Sequence, residues 1–263
     1  MIALIDADLI AYRCAASAET DPFEVVLSRV DSLIDTIMRE TKATEHKLAL
    51  SGNNNFRKTI YPEYKANRKN QVRPHWLADT NNYLRTQWAA VSQDDCEADD
   101  LLGIWQCKGD DTTICSLDKD LHMIPGKHFS WEIRGRSPSG AEWVREATLD
   151  HITSLEGYYN FYHQMITGDP SDNIKGIVGK GKVYAKNLLS ECQWDTEMFD
   201  AVREAYGNDD EMLLNGQCLW IWRKNLDIWN PFNDPSISKS KGAEFTEVGS
   251  LQDTVSIPDT GAG

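Results

Sequence analysis

The sequence lacks any long apolar run, and no stretch approaches the roughly 20 apolar residues that a membrane-spanning helix needs. Its first residues, MIALIDADLIAYR, have no basic start, no long apolar core and no small-residue cleavage site, so we expect no signal peptide. The six cysteines show neither a CxxC pair nor a metal-binding Cys/His spacing, which favours free, mostly buried thiols. These absences predict a cytoplasmic protein that makes no membrane contact.

Positive charge is also scarce, since 27 Lys and Arg face 41 Asp and Glu and leave a net charge of −14. That balance alone argues against a nucleic-acid partner. The charges are unevenly placed, however. Residues 57–73, RKTIYPEYKANRKNQVR, carry six basic residues against Glu63, and residues 174–186 carry four lysines and no acid. Two basic islands therefore lie in an acidic protein.

Alternating apolar segments indicate the fold. The 263 residues, 41% of them hydrophobic, suffice for one large α/β domain or for such a domain with a smaller helical lobe. Three strands are predicted, over 2–7, 46–51 and 112–115. Helices are predicted directly after the first strand, over 24–40, near 75–90 and from about Glu97. Strands that alternate with helices predict a mainly parallel central sheet flanked by helices.

The composition and the predicted secondary structure change along the chain. Residues 1–147 form the predicted α/β core. Residues 148–230 indicate a helical lobe with a Gly-rich hairpin between helices, and we find no internal repeat. Residues 231–263 lose apolar periodicity, so we expect a poorly ordered tail.

Acidic residues recur where predicted strands end and where helices begin. Because ligands of parallel sheets bind at the carboxyl ends of the strands, we expect these acids to meet at one edge. Oxygen-only ligands suit Mg²⁺ or Mn²⁺ rather than Zn²⁺, and two such cations could clamp both reacting oxygens of a phosphodiester. The candidate ligands are Asp6, Asp8, Glu97, Asp99, Asp100, Asp118, Asp120, Asp169 and Asp172.

Each acidic group also has an ordinary explanation. Asp and Glu are common at helix starts through capping and the helix dipole, which would explain residues 94–100. The stretch SLDKDL could be a solvated turn. The stretch DADLI after a strand also resembles the nucleophile motif of aspartate-based phosphatases, so that alternative stays open.

The segment GDPSDNIKGIVGKGKVYAKNLL has the layout of a helix-hairpin-helix element, which holds the nucleic-acid backbone without reading bases. Its glycines, Gly176, Gly179 and Gly181, permit a tight turn with exposed amides. We expect a helix to start near Lys182 and to offer amides to a phosphate, with Lys175 and Lys180 nearby. It does not match the nucleotide-binding GxxxxGK[ST], because Val183 follows Lys182.

The stretch YPEYKANRK, residues 61–69, combines aromatic and basic side chains. Tyr64 could stack on a base, and Lys65 and Arg68 could stabilise a scissile phosphate. An exposed basic loop is the alternative. The remaining basic candidates for DNA contact in this island are Arg57, Lys58 and Lys69.

Five motifs occur in one order: IDADLIAYR, YPEYKANR, CEADDLLG, SLDKDL and GDPSDNIKGIVGKGK. In that order they resemble the 5′-nuclease (flap endonuclease) superfamily, in particular its bacteriophage 5′→3′ exonucleases, over about residues 2–190. The resemblance implies a PIN-like nuclease core with an arch or clamp over 57–92 and a helix-hairpin-helix that holds duplex DNA.

The resemblance also implies roles for single residues. Asp6, Glu97, Asp99, Asp118 and Asp120 would bind metal directly or through water, and Asp100, Asp169 and Asp172 would surround the second metal. Lys65 and Arg68 would contact the scissile phosphate from the base of the arch. Relatives often have no acid at the position of Asp8, and they hold a K⁺ through backbone carbonyls at the hairpin corresponding to 176–181.

One departure stands out. Related nucleases usually carry an aspartate just after the second strand, where this chain has Ser51, Gly52 and Asn53. Asn53 could act through a metal-held water. The departure predicts weaker metal binding, a preference for Mn²⁺, or a DNA-binding relative without catalysis.

The predicted function is metal-dependent, two-metal-ion hydrolysis at or near the 5′ end of a DNA strand, in phage replication or recombination within the host cytoplasm. The expected partner is DNA with a free 5′ end, as a duplex or a 5′ flap, and an RNA–DNA hybrid is a further candidate. The short segment between Lys65 and Ser92 favours exonuclease over flap cleavage. The alternatives are a noncatalytic DNA-binding relative and an aspartate-based phosphatase.

Overall fold

The computed structural model describes residues 1–109, 111–137 and 139–233. They form ten strands: β1 Ile2–Asp6, β2 Glu45–Ser51, β3 Val91–Gln93, β4 Thr112–Cys115, β5 Gly126–Ser130, β6 Ile133–Arg136, β7 Glu142–Arg145, β8 Thr148–Ile152, β9 Gly168–Asp169 and β10 Ile174–Lys175. The helices are α1 Ala7–Ser17, α2 Phe23–Thr41, α3 Phe56–Ile60, α4 Leu77–Gln87, α5 Ala98–Lys108, α6 Ser154–Thr167, α7 Lys182–Leu189, α8 Asp195–Tyr206 and α9 Asp209–Leu219. Short 3₁₀ turns cover Ala66–Arg68, Lys119–Met123 and Pro231–Asn233.

Six strands form the central sheet in the order β3-β2-β1-β4-β5-β8. The first five run parallel, and β8 pairs antiparallel with β5, which confirms the mainly parallel sheet. The strand β8 lies beyond the predicted boundary at residue 147, so the sheet reaches into the part predicted to be a helical lobe. The carboxyl ends of β1, β2 and β4 are adjacent, since Asp6 pairs with Ala49 and Ile5 with Cys115.

The core follows from the apolar pattern. Residues 3–5 of β1 and 48–50 of β2 are almost fully buried, as expected for parallel strands covered on both faces. The helix predicted over 24–40 is α2, and its buried residues Val26, Val30, Ile34 and Ile37 recur every three or four positions. Five of the six cysteines are buried or half-buried, and all six are free thiols, which confirms that prediction.

The segment 57–92, predicted to form an arch or clamp, contains most of α3 and all of α4. The helix α4 packs against α1 and α2 with Leu84 fully buried, so only residues 61–76 remain between α3 and α4. The end of this loop is held to the α1–α2 connection, where the Trp76 Nε1 donates to the carbonyl of Asp21 at 3.0 Å. The loop is therefore anchored at its C-terminal end.

The glycine segment connects α6 and α7. A two-stranded hairpin, β9 and β10, precedes the turn 176–181, and α7 begins at Lys182 as predicted. Gly168, with φ +72°, and Gly176 bring their backbones so close that a Cβ on either would overlap atoms of the other strand. Glycine is therefore required at both positions.

Residues 1–230 form one compact unit, and residues 231–263 form the other unit of the chain. Within the first unit, α6 packs against α7, α8 and α9. Of the predicted tail, residues 234–263 lie outside the described residues. Among the described residues, no helix has the length and apolar character needed to cross a membrane. The division at residue 147 stays a prediction.

Candidate metal and nucleic-acid site

Acidic side chains meet at the carboxyl edge of the central sheet. Asp6 ends β1, and its carboxylate accepts hydrogen bonds from the Leu9 amide at 3.0 Å and from the Ser116 hydroxyl at 2.7 Å. Asp118 follows β4 and accepts from the Asp120 amide at 2.9 Å. A cavity beside them is lined by five acidic residues, namely Glu97, Asp99, Asp120, Asp169 and Asp172. The predicted convergence of separate acidic segments is therefore present.

These acids raise one another's pKa values. Burial, followed by repulsion from Asp8 and Asp118, raises the pKa of Asp6 to about 7. Burial and repulsion from Asp6 and Asp118 hold the pKa of Asp99 well above its usual range. The Asp99 carboxylate makes no hydrogen bond or ion pair with any described residue. A nearby cation would relieve this repulsion.

Basic side chains reach the same acids from the loop 61–69. The Lys65 ammonium contacts the Glu97 carboxylate and lies 3.5 Å from Asp172. The Arg68 guanidinium is 2.6 Å from the other Asp172 oxygen. Lys65 and Arg68 thus lie beside the acids, and their predicted contact with a scissile phosphate stays a prediction. Among the described residues, no group of three His, Cys, Asp or Glu side chains can hold a metal ion as it stands.

The prediction that Tyr64 stacks on a base is wrong. Its side chain is 3% exposed, and its hydroxyl lies 2.9 Å from Glu97 and 2.8 Å from Asp172. A buried ring cannot offer a face to a nucleobase. Tyr64 instead connects two acids of the site.

The prediction that Arg57 contacts DNA is also wrong. The residue is 2% exposed, and its guanidinium pairs bidentately with Asp100 at 2.7 and 2.8 Å. It also donates to the carbonyls of Cys218 and Trp220. Arg57 therefore connects α3 to α5, to the last turn of α9 and to the residue that follows it.

Asp100 was predicted to surround the second metal, and the structure contradicts this. Its side chain is fully buried, and beyond Arg57 its oxygens accept from the amides of Glu97 at 3.0 Å and Trp222 at 3.1 Å. These four bonds use the roughly four acceptor positions of a carboxylate. Asp100 caps α5 and orients Glu97, and it has no free position for a metal.

The turn that lacks the expected acid has a different chemistry. The Ser51 hydroxyl accepts from the Ala98 amide at 3.1 Å, at the start of α5, and the Ser51 amide donates to the Asp8 carboxylate at 3.0 Å. Asn53 binds Asp94 through its amides at 3.2 Å. A carboxylate does reach the end of β2, but it comes from Asp8.

Residues 169–173 form hydrogen bonds with the loop 61–69 next to the acidic site. Asn67 donates to the Pro170 carbonyl at 2.8 Å, and Asn173 donates to the Glu63 carbonyl at 2.8 Å. Asp169 accepts from the Ser171 amide at 2.8 Å and from the Gln164 amide at 3.4 Å. Sequence reasoning missed Asn67, Gln164 and Ser116: Asn67 and Ser116 lie within quoted motifs but were given no role, and Gln164 lies in no motif.

The remaining basic candidates lie on the surface. Lys58, Lys69, Lys175 and Lys182 are exposed, and the half-buried Lys180 ammonium lies 4.0 Å from the ring centre of Tyr184. In the turn 176–181, Gly179 has φ +75°, and Gly181 caps the start of α7. The glycines of the turn and Lys175, Lys180 and Lys182 thus lie in or beside the segment that leads into α7.

The pH dependence of stability should reflect Asp120. Burial, followed by repulsion from Asp118, raises its pKa from 3.8 to about 6. Its contribution to stability is present in full below pH 3.8 and is lost as the pH rises through about 6. The free energy of unfolding of Asp120→Asn, measured in EDTA relative to the wild type, should therefore rise by up to about 3 kcal/mol from acidic to neutral pH. Thermal unfolding across this range measures the difference, and a constant difference would contradict the shifted pKa.

A PIN-like nuclease architecture is defined by this parallel sheet with acids at its carboxyl edge. The family model "5′-3′ exonuclease, N-terminal resolvase-like domain" matches residues 1–147. This is more than half of the chain, and the chain belongs to that 5′-3′ exonuclease family, within the 5′-nuclease superfamily.

Individual relatives agree. The chain is 30% identical over 118 residues to a 5′-3′ exonuclease of Mycoplasmopsis pulmonis, covering 40% of this chain and 36% of that protein. It is 28% identical over 175 residues to DNA polymerase I of Bacillus caldotenax, covering 60% of this chain and 19% of that protein. The chain thus spans well under half the length of these curated relatives.

Solved structures share the fold. A T5 5′-exonuclease with bound zinc has a TM-score of 0.63 at 18% identity, over 83% of this chain and 88% of that chain. A bacteriophage T5 flap endonuclease in a complex with DNA and metal ions has a TM-score of 0.62 at 17% identity, over 83% and 89%.

Proposed function

We propose that this chain is a metal-dependent, structure-specific 5′-nuclease that hydrolyses phosphodiester bonds at or near the 5′ ends of DNA. The observation that carries the proposal is that Asp6, Asp99 and Asp118 lie close enough to repel one another, while Lys65 and Arg68 pair with the nearby acids Glu97 and Asp172. The acids suit cations, and the basic side chains suit a phosphate between them. Membership of the 5′-3′ exonuclease family supports this reaction.

The chemistry of the donor atoms suits two hard divalent cations. The donor set contains oxygen only, which suits Mg²⁺ or Mn²⁺, and the repulsion of the Asp99 carboxylate by Asp6 and Asp118 is one that a cation would relieve. When bound, the cations would lower the pKa of an attacking water and stabilise the leaving 3′ oxygen. The residues that would hold them are Asp6, Asp8, Glu97, Asp99, Asp118, Asp120, Asp169 and Asp172.

The basic residues would act on the phosphate. Lys65 and Arg68 reach the site from the loop 61–69 and would offset the charge that develops on the scissile phosphate. Tyr64 would keep Glu97 and Asp172 in place through its hydroxyl. Burial and its neighbours hold the pKa of Tyr64 well above its usual range, so the hydroxyl keeps its proton.

Asp8 would compensate for the missing acid after β2. Its carboxylate binds the Ser51 amide, is repelled by Glu97 and is attracted by Lys65, so it lies within the field of the site. Burial is the largest of the causes that raise its pKa. This placement supports catalysis over the noncatalytic alternative.

The turn 176–181 would bind DNA at a distance from the acidic site. Exposed Lys175 and Lys182 and the amides at the start of α7 suit phosphate groups, and Lys58 and Lys69 would add contacts. We propose that a K⁺ binds the carbonyls of this turn. Phosphate contacts carry no sequence information, so binding should be sequence-tolerant and strongly salt-dependent.

The short loop 61–76 supports exonuclease activity over cleavage of long flaps. Flaps and the RNA strand of an RNA–DNA hybrid are further candidate substrates. We further propose that the protein serves phage DNA replication or recombination in the cytoplasm of the host, an environment that suits its six free thiols.

The test uses a 5′-labelled duplex and a matching 5′ flap, each with Mg²⁺, Mn²⁺ or EDTA. We expect short 5′ products in either metal, none in EDTA, and a loss to background in Asp99→Asn. The control Asp79→Asn changes an exposed acid on α4 and should cleave at the wild-type rate. DNA binding without cleavage in both metals would instead identify a DNA-holding relative without chemistry.

A further inference from the structure

Gln164 is a polar residue of the acidic cavity that no motif marks. It lies on α6, three positions before the helix ends at Thr167, and lines the cavity together with Asp99, Asp120 and Asp169. Its Nε2 donates to Asp169 at 3.4 Å. Its Oε1 is buried and accepts no hydrogen bond from any described residue.

The orientation of this amide follows from its neighbours. Carboxylates only accept hydrogen bonds when ionised, so the NH₂ end must face Asp169. The nearby Gln164 amide also lowers the pKa of Asp120 against the larger effect of burial. Rotating the amide by half a turn would set an oxygen against these acids. The Oε1 is therefore the end of the amide that is left without a donor among the described residues.

When ionised, the surrounding acids cannot supply that donor. A hydrated divalent cation can, because water in its coordination shell presents hydrogen atoms outward, and Mg²⁺ usually keeps several waters. Outer partners of this kind orient the groups around a metal and raise its affinity.

We propose that Gln164 is a positioning residue for a hydrated divalent cation, which its Oε1 holds through a water of the coordination shell while its Nε2 orients Asp169. The proposal rests on the proposed metal-dependent function. Through Gln164, α6 would help to position the cation that Asp120 and Asp169 would bind.

The test is Gln164→Met, which keeps the length of the side chain and removes both polar atoms. Mn²⁺ affinity is measured by calorimetry, and thermal unfolding is measured in EDTA and in Mn²⁺. We expect about tenfold weaker Mn²⁺ binding and a smaller rise in unfolding temperature on adding Mn²⁺. In EDTA the variant should unfold close to the wild-type temperature, because the removal of an unpaired buried acceptor offsets the loss of the 3.4 Å hydrogen bond to Asp169.

A merely structural role predicts the opposite pattern, with lower stability in EDTA and unchanged affinity, and that result would overturn the proposal. Gln106→Met is the matched control. The Gln106 amide is satisfied at both ends, by Thr112 at 2.8 Å and by the Lys127 carbonyl at 2.9 Å. That variant should lose stability and keep its Mn²⁺ affinity.

If Gln164→Met does not fold, Gln164→Glu serves instead, since it keeps an oxygen there and adds negative charge. It should be less stable in EDTA and bind Mn²⁺ at least as tightly as the wild type, and weaker binding would overturn the proposal. Asp120→Asn is measured in parallel. If it binds Mn²⁺ normally, the metal-dependent function itself fails, whereas weak binding by Asp120→Asn beside normal binding by Gln164→Met refutes only this inference.

Discussion

Lys65→Met is expected to slow cleavage by roughly 10²–10³-fold, the usual cost of removing a group that stabilises transition-state charge. Although burial opposes its charge, Glu97 and Asp172 raise the pKa of Lys65, so the ammonium is charged at every working pH. The methionine keeps the apolar stem, so packing in the loop should survive. Single-turnover cleavage of a 5′-labelled duplex measures the effect.

Two further measurements separate the chemistry from metal binding and from folding. Lys65→Met removes the ammonium next to Glu97 and Asp172, so Mn²⁺ affinity should stay equal or increase. Slow cleavage together with normal Mn²⁺ binding would therefore show that the defect lies in the interaction with the phosphate. Lys108→Ala, an exposed change at the end of α5, is the control and should cleave normally. A Lys65→Met rate within tenfold of the wild type would contradict the role of Lys65.

Arg57→Met is expected to cost about 3–5 kcal/mol of unfolding free energy, because it leaves the buried Asp100 carboxylate without its partner. The guanidinium is 3% exposed and Asp100 is 0% exposed, so water cannot replace the lost charge. For a chain of this size, the loss should lower the unfolding temperature on the order of 10 °C. Urea and thermal unfolding measure it.

The matched control is Arg29→Met. Its partner is Asp21, and both side chains are about two-fifths exposed, so the cost should be about 1 kcal/mol or less. The double variant Arg57→Met/Asp100→Leu removes both buried charges and should recover much of the stability. If Arg57→Met instead kept its stability and lost DNA affinity, the original assignment of Arg57 to DNA contact would be right.

Local sequence patterns were enough to predict a large part of the fold and of the site. The spacing of Val26, Val30 and Ile34 determines an amphipathic helix, and that helix is α2. Acids after β1 and β4 had to meet, because parallel neighbours end at one edge. Glycines followed by Lys182 determined the start of α7. Each of these signals depends on residues close in sequence or on the sheet geometry alone.

Tertiary structure decided which charged residues face solvent and which are paired inside. Arg57 and the Cys218 carbonyl are 161 positions apart, and no local pattern separates a basic residue that meets a phosphate from one buried against Asp100. The same holds for Asp8, whose carboxylate reaches Ser51 from the first turn of α1, 43 positions away. Sequence alone determined the elements and the edge where the acids gather. Packing between distant segments decided the role of each side chain, because burial and partner choice depend on what the folded chain brings alongside.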